Sequence, residues 1–354
     1  MARIAIDAMG GDYAPRAIVE GALWAAQEYN VGLELVGRKD ELEAEINRIK
    51  SIGYILSDCG TKGHQRKIHI DVDKIDYTVT HASEVIGMGE AVGQSIRRKK
   101  DSSIVASVKA VADGRCEAVV SAGSTGAAMA ASLFGLGRIH GVTRPAIAVT
   151  LPTMKKPVVL IDGGANSEST PEMLVQFAQM GVAYAKHVVG IENPTVGILS
   201  IGEEEGKGNA LVKDTYPLLK QLNEEGKINF AGNIEGKELF INKADVVVAD
   251  GFAGNVALKV TEGTASMLLK MISSEFKSDF VGCLIGLMAK PFLRRILKRI
   301  NWEGFGGMLL LGVKGISVIA HGRSSSYAMK NAVRAAVEGI NNDINAEIGK
   351  NINE

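Results

Sequence analysis

The sequence predicts a Rossmann-like, doubly wound α/β/α sandwich carrying one long helical insertion. Three observations predict it. Short apolar runs recur along the chain, each of a length suited to a strand buried on both faces. Each run ends in glycine, aspartate or serine and leads into a stretch of helical character. One region, about residues 256–300, is instead apolar and helical almost throughout.

Ile4 to Ile6 is the first strand and ends in Asp7-Ala-Met-Gly10-Gly11-Asp12; Leu33 to Val36 is the second. Ala118 to Val120 runs into Ser121-Ala-Gly123-Ser124-Thr125-Gly126, and Val158 to Ile161 into Asp162-Gly163-Gly164-Ala165-Asn166. Val196 to Ile201 leads to Gly202-Glu-Glu-Glu-Gly206-Lys207-Gly208-Asn209, and Val246 to Ala249 to Asp250-Gly251-Phe252-Ala253-Gly254-Asn255. The run Arg-Arg-Lys-Lys-Asp-Ser-Ser from Arg97 to Ser103 reads as an exposed helix end and loop, and Asp58 to Asp76 as polar and irregular. Neither has the composition of a linker, and no repeat is present. Residues 1–340 therefore read as a single catalytic domain, with 341–354 as a helix end and tail.

Within the insertion, Met267, Leu268, Met271, Ile272 and Phe276 recur at three- and four-residue spacing and form one stripe. Leu284, Met288, Phe292, Ile296 and Ile300 form a second ridge, with Lys290, Arg294 and Lys298 on the opposite side. No acidic residue stands between Asp279 and Glu303. Arg295 and Arg299 fall near the apolar ridge, and Pro291 is expected to break or kink the helix. Such a segment suits an anionic membrane surface, an acidic partner or a packed hairpin with a solvated basic face, and the residues leave all three open.

Composition narrows the function. A chain of 354 residues, 46% hydrophobic, can bury a large core. Its 40 basic and 40 acidic residues cancel, so nothing points to nucleic acid, and an anionic partner must meet a local patch. Cys59, Cys116 and Cys283 are odd in number and lack CxxC spacing, which predicts a reducing, cytoplasmic setting without disulfides. The start, Met-Ala-Arg3-Ile4-Ala5-Ile6-Asp7, lacks the pattern of a secretion signal. The best candidate for a membrane span, Met308 to Ala320, is interrupted by Lys314 and falls short of the ~18 apolar residues needed.

The chemistry is expected where the turns are. In open α/β sheets ligands bind beyond the carboxyl ends of the strands. Lys207 stands between Gly206 and Gly208, so its loop can bring an ammonium and several N–H groups to one small anion. Alone, such a loop reads more readily as a solvated turn. Five glycine-rich turns at strand ends argue for one shared site, offering Asp7, Gly10, Gly11, Ser124, Thr125, Gly126, Gly164, Asn166, Gly208, Asn209, Asp250 and Gly254 for phosphate or substrate binding. The lysine loop lacks GxxxxGK[ST] spacing, which disfavours a P-loop, and no strand is followed by a dinucleotide fingerprint. Asp7 and Asp12 suit helix capping better than metal binding. His64, His69, His81, His140, His187 and His321 show no metal-ligand spacing, and no GxSxG elbow is present, so neither metal nor other cofactor is expected.

The segments IAIDAMGGDYAP, SAGSTGA, GRIHGVTRPAIA, DGGAN, IGEEEGKGN, ADVVVADGFAGNVALK and GGMLLLGVKGISVIAHGRSS together resemble the bacterial phosphate acyltransferase family, in order, from Ile4 to about Ser326. The resemblance implies transfer of a long-chain fatty acyl group from acyl carrier protein to inorganic phosphate, giving acyl phosphate for phospholipid synthesis. It implies a fold related to isopropylmalate dehydrogenase and phosphotransacetylase, a homodimer, and no nicotinamide or metal. It makes Lys207 and Asn255 the catalytic pair and adds His321 to the substrate-binding residues. Ser124 stands where the family commonly carries asparagine. For the acidic carrier it offers a basic patch from Arg138, Arg144, Lys290, Arg294, Arg295, Lys298 and Arg299, and for an anionic membrane Phe292 and Leu293, with a downstream glycerol-3-phosphate acyltransferase as a further partner. Whether Lys207 meets phosphate or the thioester oxyanion stays open.

Overall fold

The computed structural model describes residues 1–59 and 65–353, without the side chains of residues 298, 300 and 302, so His64 and the Lys298 side chain lie outside the described residues. In order, the elements are β1 (Arg3–Asp7), α1 (Arg16–Tyr29), β2 (Gly32–Gly37), α2 (Lys39–Ile52), β3 (Tyr54–Ser57), β4 (Arg66–His69), β5 (Tyr77–His81), α3 (Val92–Arg98), α4 (Ser103–Ala112), β6 (Ala118–Ser121) and α5 (Thr125–Leu136). Then follow β7 (Ala146–Leu151), β8 (Val158–Ile161), α6 (Pro171–Tyr184), β9 (Thr195–Ser200), α7 (Ala210–Glu224), β10 (Asn229–Glu235) and β11 (Val246–Val248). The chain closes with α8 (Gly251–Glu275), α9 (Phe280–Ile300), β12 (Met308–Leu311), β13 (Ile316–Ile319), α10 (Ser326–Asn341) and α11 (Ile344–Asn353).

Among the described residues an 11-stranded sheet runs β10-β9-β11-β8-β7-β12-β13-β6-β1-β2-β5. It has a core on each side. Ile4 and Ile6 fall in one and Ala5 in the other; Val159 and Ile161 divide in the same way from Val158 and Leu160. That alternation is what a strand buried on both faces requires. α1, α2, α6, α7, α10 and α11 contribute to the first core, and α4, α5 and Leu258 of α8 to the second. At roughly 1.5–3 kcal/mol for each large side chain fully buried, these two layers carry the fold.

The sheet is not parallel throughout. β13, β6, β1, β2 and β5 form one parallel block, and β10, β9, β11 and β8 another. Between them β12 pairs antiparallel with β13 and β7, and β7 antiparallel with β8, so the blocks run in opposite senses. The apolar run weighed as a membrane span is the pair β12 and β13, folded back through Gly312 at φ +90°. Among the described residues no helix is long and apolar enough to cross a membrane.

Two expectations are corrected. Pro291 does not end its helix: α9 continues from Phe280 to Ile300, capped by Asp279, whose carboxylate accepts from Gly282 N at 2.6 Å. One lost amide is outweighed by the leucine, methionine, lysine and arginine around it, all good helix formers. The C-terminal residues are not a tail. α11 buries Ile344 and Ile348 completely, and Gln179 of α6 donates to Asn351 O at 2.7 Å. The insertion itself is the two helices α8 and α9 joined by a short turn, their stripes facing outward, with Met271 59% and Met288 75% exposed.

Candidate functional site

Because the two blocks oppose each other, the strand-end turns fall into two groups. The first follows β1, β6 and β13. Asp7 ends β1 only 3% exposed, and Ser121 Oγ donates to its Oδ2 at 2.6 Å while itself accepting from Gly123 N at 3.1 Å. Gly10 packs so closely here that a Cβ would lie 2.5 Å from Asp7 Oδ2. Asp7 Oδ1 finds no partner in hydrogen-bond geometry among the described residues. Burial pushes its pKa up, against weaker pulls from Ser103, Ser121 and the amides of Met9 and Gly10. Beside it is a cavity of about 10 Å³ lined in part by Asp7, Ser103, Ser121, Gly123 and Ser124, room for about one water.

Sequence reasoning set Asp7 among the ligand contacts; the structure buries it beneath the turn. Gly11 takes φ +108°, and Asp12 N donates to Gly322 O at 2.7 Å, tying this turn to the one after β13. Ser124 caps α5, accepting from Ala127 N at 3.5 Å, with Thr125 and Gly126 half-buried in the first turn. His321 is half-buried, and its Nδ1 accepts from Arg323 N at 3.2 Å. Burial, then the charge of Lys259, hold its pKa below the usual value.

The second group follows β8, β9 and β11, and its floor is Asp162. This carboxylate, fully buried, accepts through Oδ1 from the amides of Ile147, Gly164 and Ala165 at 3.1, 3.0 and 2.8 Å. Its Oδ2 accepts from Asn166 N at 2.7 Å and Asn166 Nδ2 at 2.9 Å. Burial pushes its pKa up against the pull of those donors. On this turn rests the start of α8. Gly251 N donates to Asn166 O at 2.7 Å, and a Cβ on Gly254 would stand 2.0 Å from Asp162 O. Only glycine allows that approach. Asp250 caps α8 through Ala253 N at 2.8 Å, and Asn255, exposed, lies over Gly164, where a Cβ would come 3.3 Å from Asn255 Cβ.

Lys207 belongs to the same group. β9 and β11 are parallel neighbours with Ile198 beside Val248, so the Lys207 loop and the Asn255 helix leave adjacent strand ends. Lys207 is exposed, its N–H donates to Glu204 O at 2.9 Å, and its stem lies against Gly202. Gly208 takes φ +108°, and Asn209 caps α7 by accepting from Val212 N at 3.0 Å. Two helix N-termini therefore open at neighbouring strand ends beside an ammonium and an amide, an arrangement suited to an anion. A thread joins the groups: Lys259, one turn beyond Asn255 on α8, is close enough to act on His321, as is Glu262.

The outlying basic residues are dispersed. Arg138 donates to Thr143 O; Arg144, Lys290, Phe292, Arg295 and Arg299 are exposed, Leu293 and Arg294 half-buried, and Arg295 lies over the Phe292 ring at 5.0 Å. Among the described residues no three histidine, cysteine, aspartate or glutamate side chains converge as a metal-ligand set. Sequence reasoning named the turns of Asp162 and Ser121 but gave neither side chain a part in building the site. The available signal was a buried polar residue inside or at the end of an apolar run.

A family model described as fatty acid synthesis protein matches residues 2–347. The phosphate acyltransferase of Heliobacterium modesticaldum is 47% identical over 350 residues, covering 99% of this chain and 97% of that relative. The phosphate acyltransferase of Dictyoglomus turgidum is 42% identical over 353 residues, covering 99% and 98%. Among solved structures, a phosphotransacetylase from Streptococcus pyogenes superposes with a TM-score of 0.60 at 15% identity, covering 96% of this chain and 94% of that one. A 4-hydroxythreonine-4-phosphate dehydrogenase from Klebsiella pneumoniae does so with a TM-score of 0.52 at 13% identity, covering 95% and 98%. At such identities the two structures establish the fold alone, and they agree with the predicted phosphotransacetylase and dehydrogenase-like class.

Proposed function

The chain belongs to the fatty acid synthesis protein family, and on that premise we propose that it is an acyltransferase moving a long-chain fatty acyl group from acyl carrier protein to inorganic phosphate, yielding acyl phosphate for phospholipid synthesis. The relatives named phosphate acyltransferase support the reaction class. The observation that supports the site is that the Lys207 loop leading into α7 and the α8 start carrying Asn255 leave adjacent strand ends.

In this reading the amides of the turns orient phosphate, already anionic near neutral pH, for attack on the thioester carbonyl. A phosphate oxygen forms the C–O bond, the C–S bond breaks, and the carrier's thiolate leaves and takes up a proton from water or from Lys207. Asn255 donates its amide to the developing oxyanion, and Lys207 offsets negative charge on that oxygen or on phosphate. Purified protein incubated with acylated carrier should form hydroxylamine-trappable acyl phosphate only when phosphate is added. Lys207→Ala should lower that rate about a hundred- to a thousandfold. Near-normal turnover by a folded Lys207→Ala protein would remove Lys207 from the mechanism.

The same reading makes the protein a cytoplasmic homodimer that docks peripherally on anionic membrane through α9. A downstream acyltransferase acting on glycerol 3-phosphate would consume the labile product. The exposed Phe292 and the half-buried Leu293 on a helix free of acidic residues support the docking. Sedimentation with anionic vesicles should be lost when both become glutamate; unchanged sedimentation would sink this part.

A further inference from the structure

Two neighbouring strands end beneath the Lys207 loop in polar side chains that the sheet does not need. β9 and β10 pair with Ile198 opposite Asn233 and Ser200 opposite Glu235, so Ser200 and Asn233 share one face. Asn233 sits in the edge strand β10 and is only 1% exposed. Its Nδ2 donates to Glu204 O at 2.7 Å, the same carbonyl that accepts from Lys207 N at 2.9 Å. Its Oδ1, like Ser200 Oγ, finds no partner in hydrogen-bond geometry among the described residues.

Asparagine is disfavoured in strands, and an orphaned buried amide oxygen opposes folding. An aliphatic side chain of the same shape would serve the core better. What asparagine adds is the bond to Glu204. The loop's other ties are weaker: Glu203 is held by Lys243 at 2.8 Å and Glu205 by Lys220 at 4.0 Å, both carboxylates being more than half exposed and screened by water. The bond from Asn233 is the sheltered one, and it reaches the turn that sets the Lys207 backbone.

We propose that Asn233 is a positioning residue for Lys207, acting through the Glu204 carbonyl to hold the lysine where it meets the reacting oxygens. The proposal rests on the assignment of Lys207 to acyl transfer. It separates stability from turnover, because an aliphatic residue would suit the core at this position at least as well.

Asn233→Leu should keep or raise the melting temperature while lowering kcat about ten- to a hundredfold, with hydrogen exchange at the Lys207 amide accelerated. A kcat within twofold of wild type would overturn the proposal, as would a loss of turnover that simply tracks a loss of melting temperature. Asn233→Asp gives an independent reading should the leucine variant fail to fold. A protonated carboxyl can donate to Glu204 O and a carboxylate cannot, so its kcat relative to wild type should rise as pH falls through the range in which this buried carboxyl takes up its proton, followed by its carboxyl infrared band. A ratio that stays low once the carboxyl is protonated refutes the proposal. Lys207→Ala run alongside distinguishes the two levels: if it is inactive and Asn233→Leu is not, only the role of Asn233 falls, whereas an active Lys207→Ala removes the assignment beneath it.

Discussion

The two turn groups are built on the same plan and finished differently. Each sets an aspartate at the end of a buried strand, covers it with glycine turns and starts a capped helix above it. In the second group the Asp162 carboxylate receives five donors and leaves no oxygen idle. In the first, Asp7 has the Ser121 hydroxyl on Oδ2, while its Oδ1, beside a cavity of about 10 Å³, finds no partner in hydrogen-bond geometry among the described residues. A carboxyl surrounded by donors serves the turn through the acceptors it supplies. A buried carboxyl short of donors is a cost that the fold carries. Burial alone therefore does not say what an aspartate is for; the count of donors does.

The sharpest way to break this comparison is to make one substitution at both places. Asp162→Asn puts an NH2 group where either the Asn166 pair or the amides of Ile147, Gly164 and Ala165 now donate, and leaves buried N–H groups opposed. We expect a loss of about 3 kcal/mol in stability by denaturant unfolding. Turnover should fall further than stability explains, since Asn255 is seated on this turn through Gly251 and Gly254. A variant as stable as wild type would show that the five contacts do not organise the turn.

How far the sequence disclosed these features follows from the range of the interactions involved. Six strands of the two parallel blocks were legible because burial on two faces leaves a continuous apolar run, as in Ile4 to Ile6 and Val158 to Ile161, whereas the edge strands β5 and β10, less buried and more polar, were not. The turns were legible from their glycines. What periodicity could not supply was direction. β7 and β12 carry apolar runs like the others, but their antiparallel pairing is set by contacts between residues such as Leu309 and Ala148, far apart in the chain. That reversal divides the turns expected at one site into two groups. Asp162 and Asn233 were illegible as scaffold for the same reason: each acts through a hydrogen bond whose partner only the folded sheet brings near. Lys207 stood out because glycines flank it, whereas Asn255 came from the family resemblance; their loop and helix leave adjacent strand ends.

The smallest expected effect is the most diagnostic, because it should have the opposite sign. Asp7→Asn keeps an acceptor for Ser121 Oγ and replaces a buried carboxyl by a neutral amide, so near neutral pH it should match or exceed wild-type stability, within about 1 kcal/mol. The pH dependence follows from the raised pKa of Asp7. A carboxyl whose folded pKa lies above its unfolded value, here the ordinary 3.8, binds its proton more tightly in the native state. Its contribution is fully present below 3.8 and is lost as pH rises through the folded value. The stability of wild type minus that of Asp7→Asn should therefore be greatest in acid and decline as pH rises through that window, then level off. Thermal unfolding of the pair across the acid range measures it. If the difference instead grew with pH, the fold would hold Asp7 as an anion, and its shortage of donors would not be a cost.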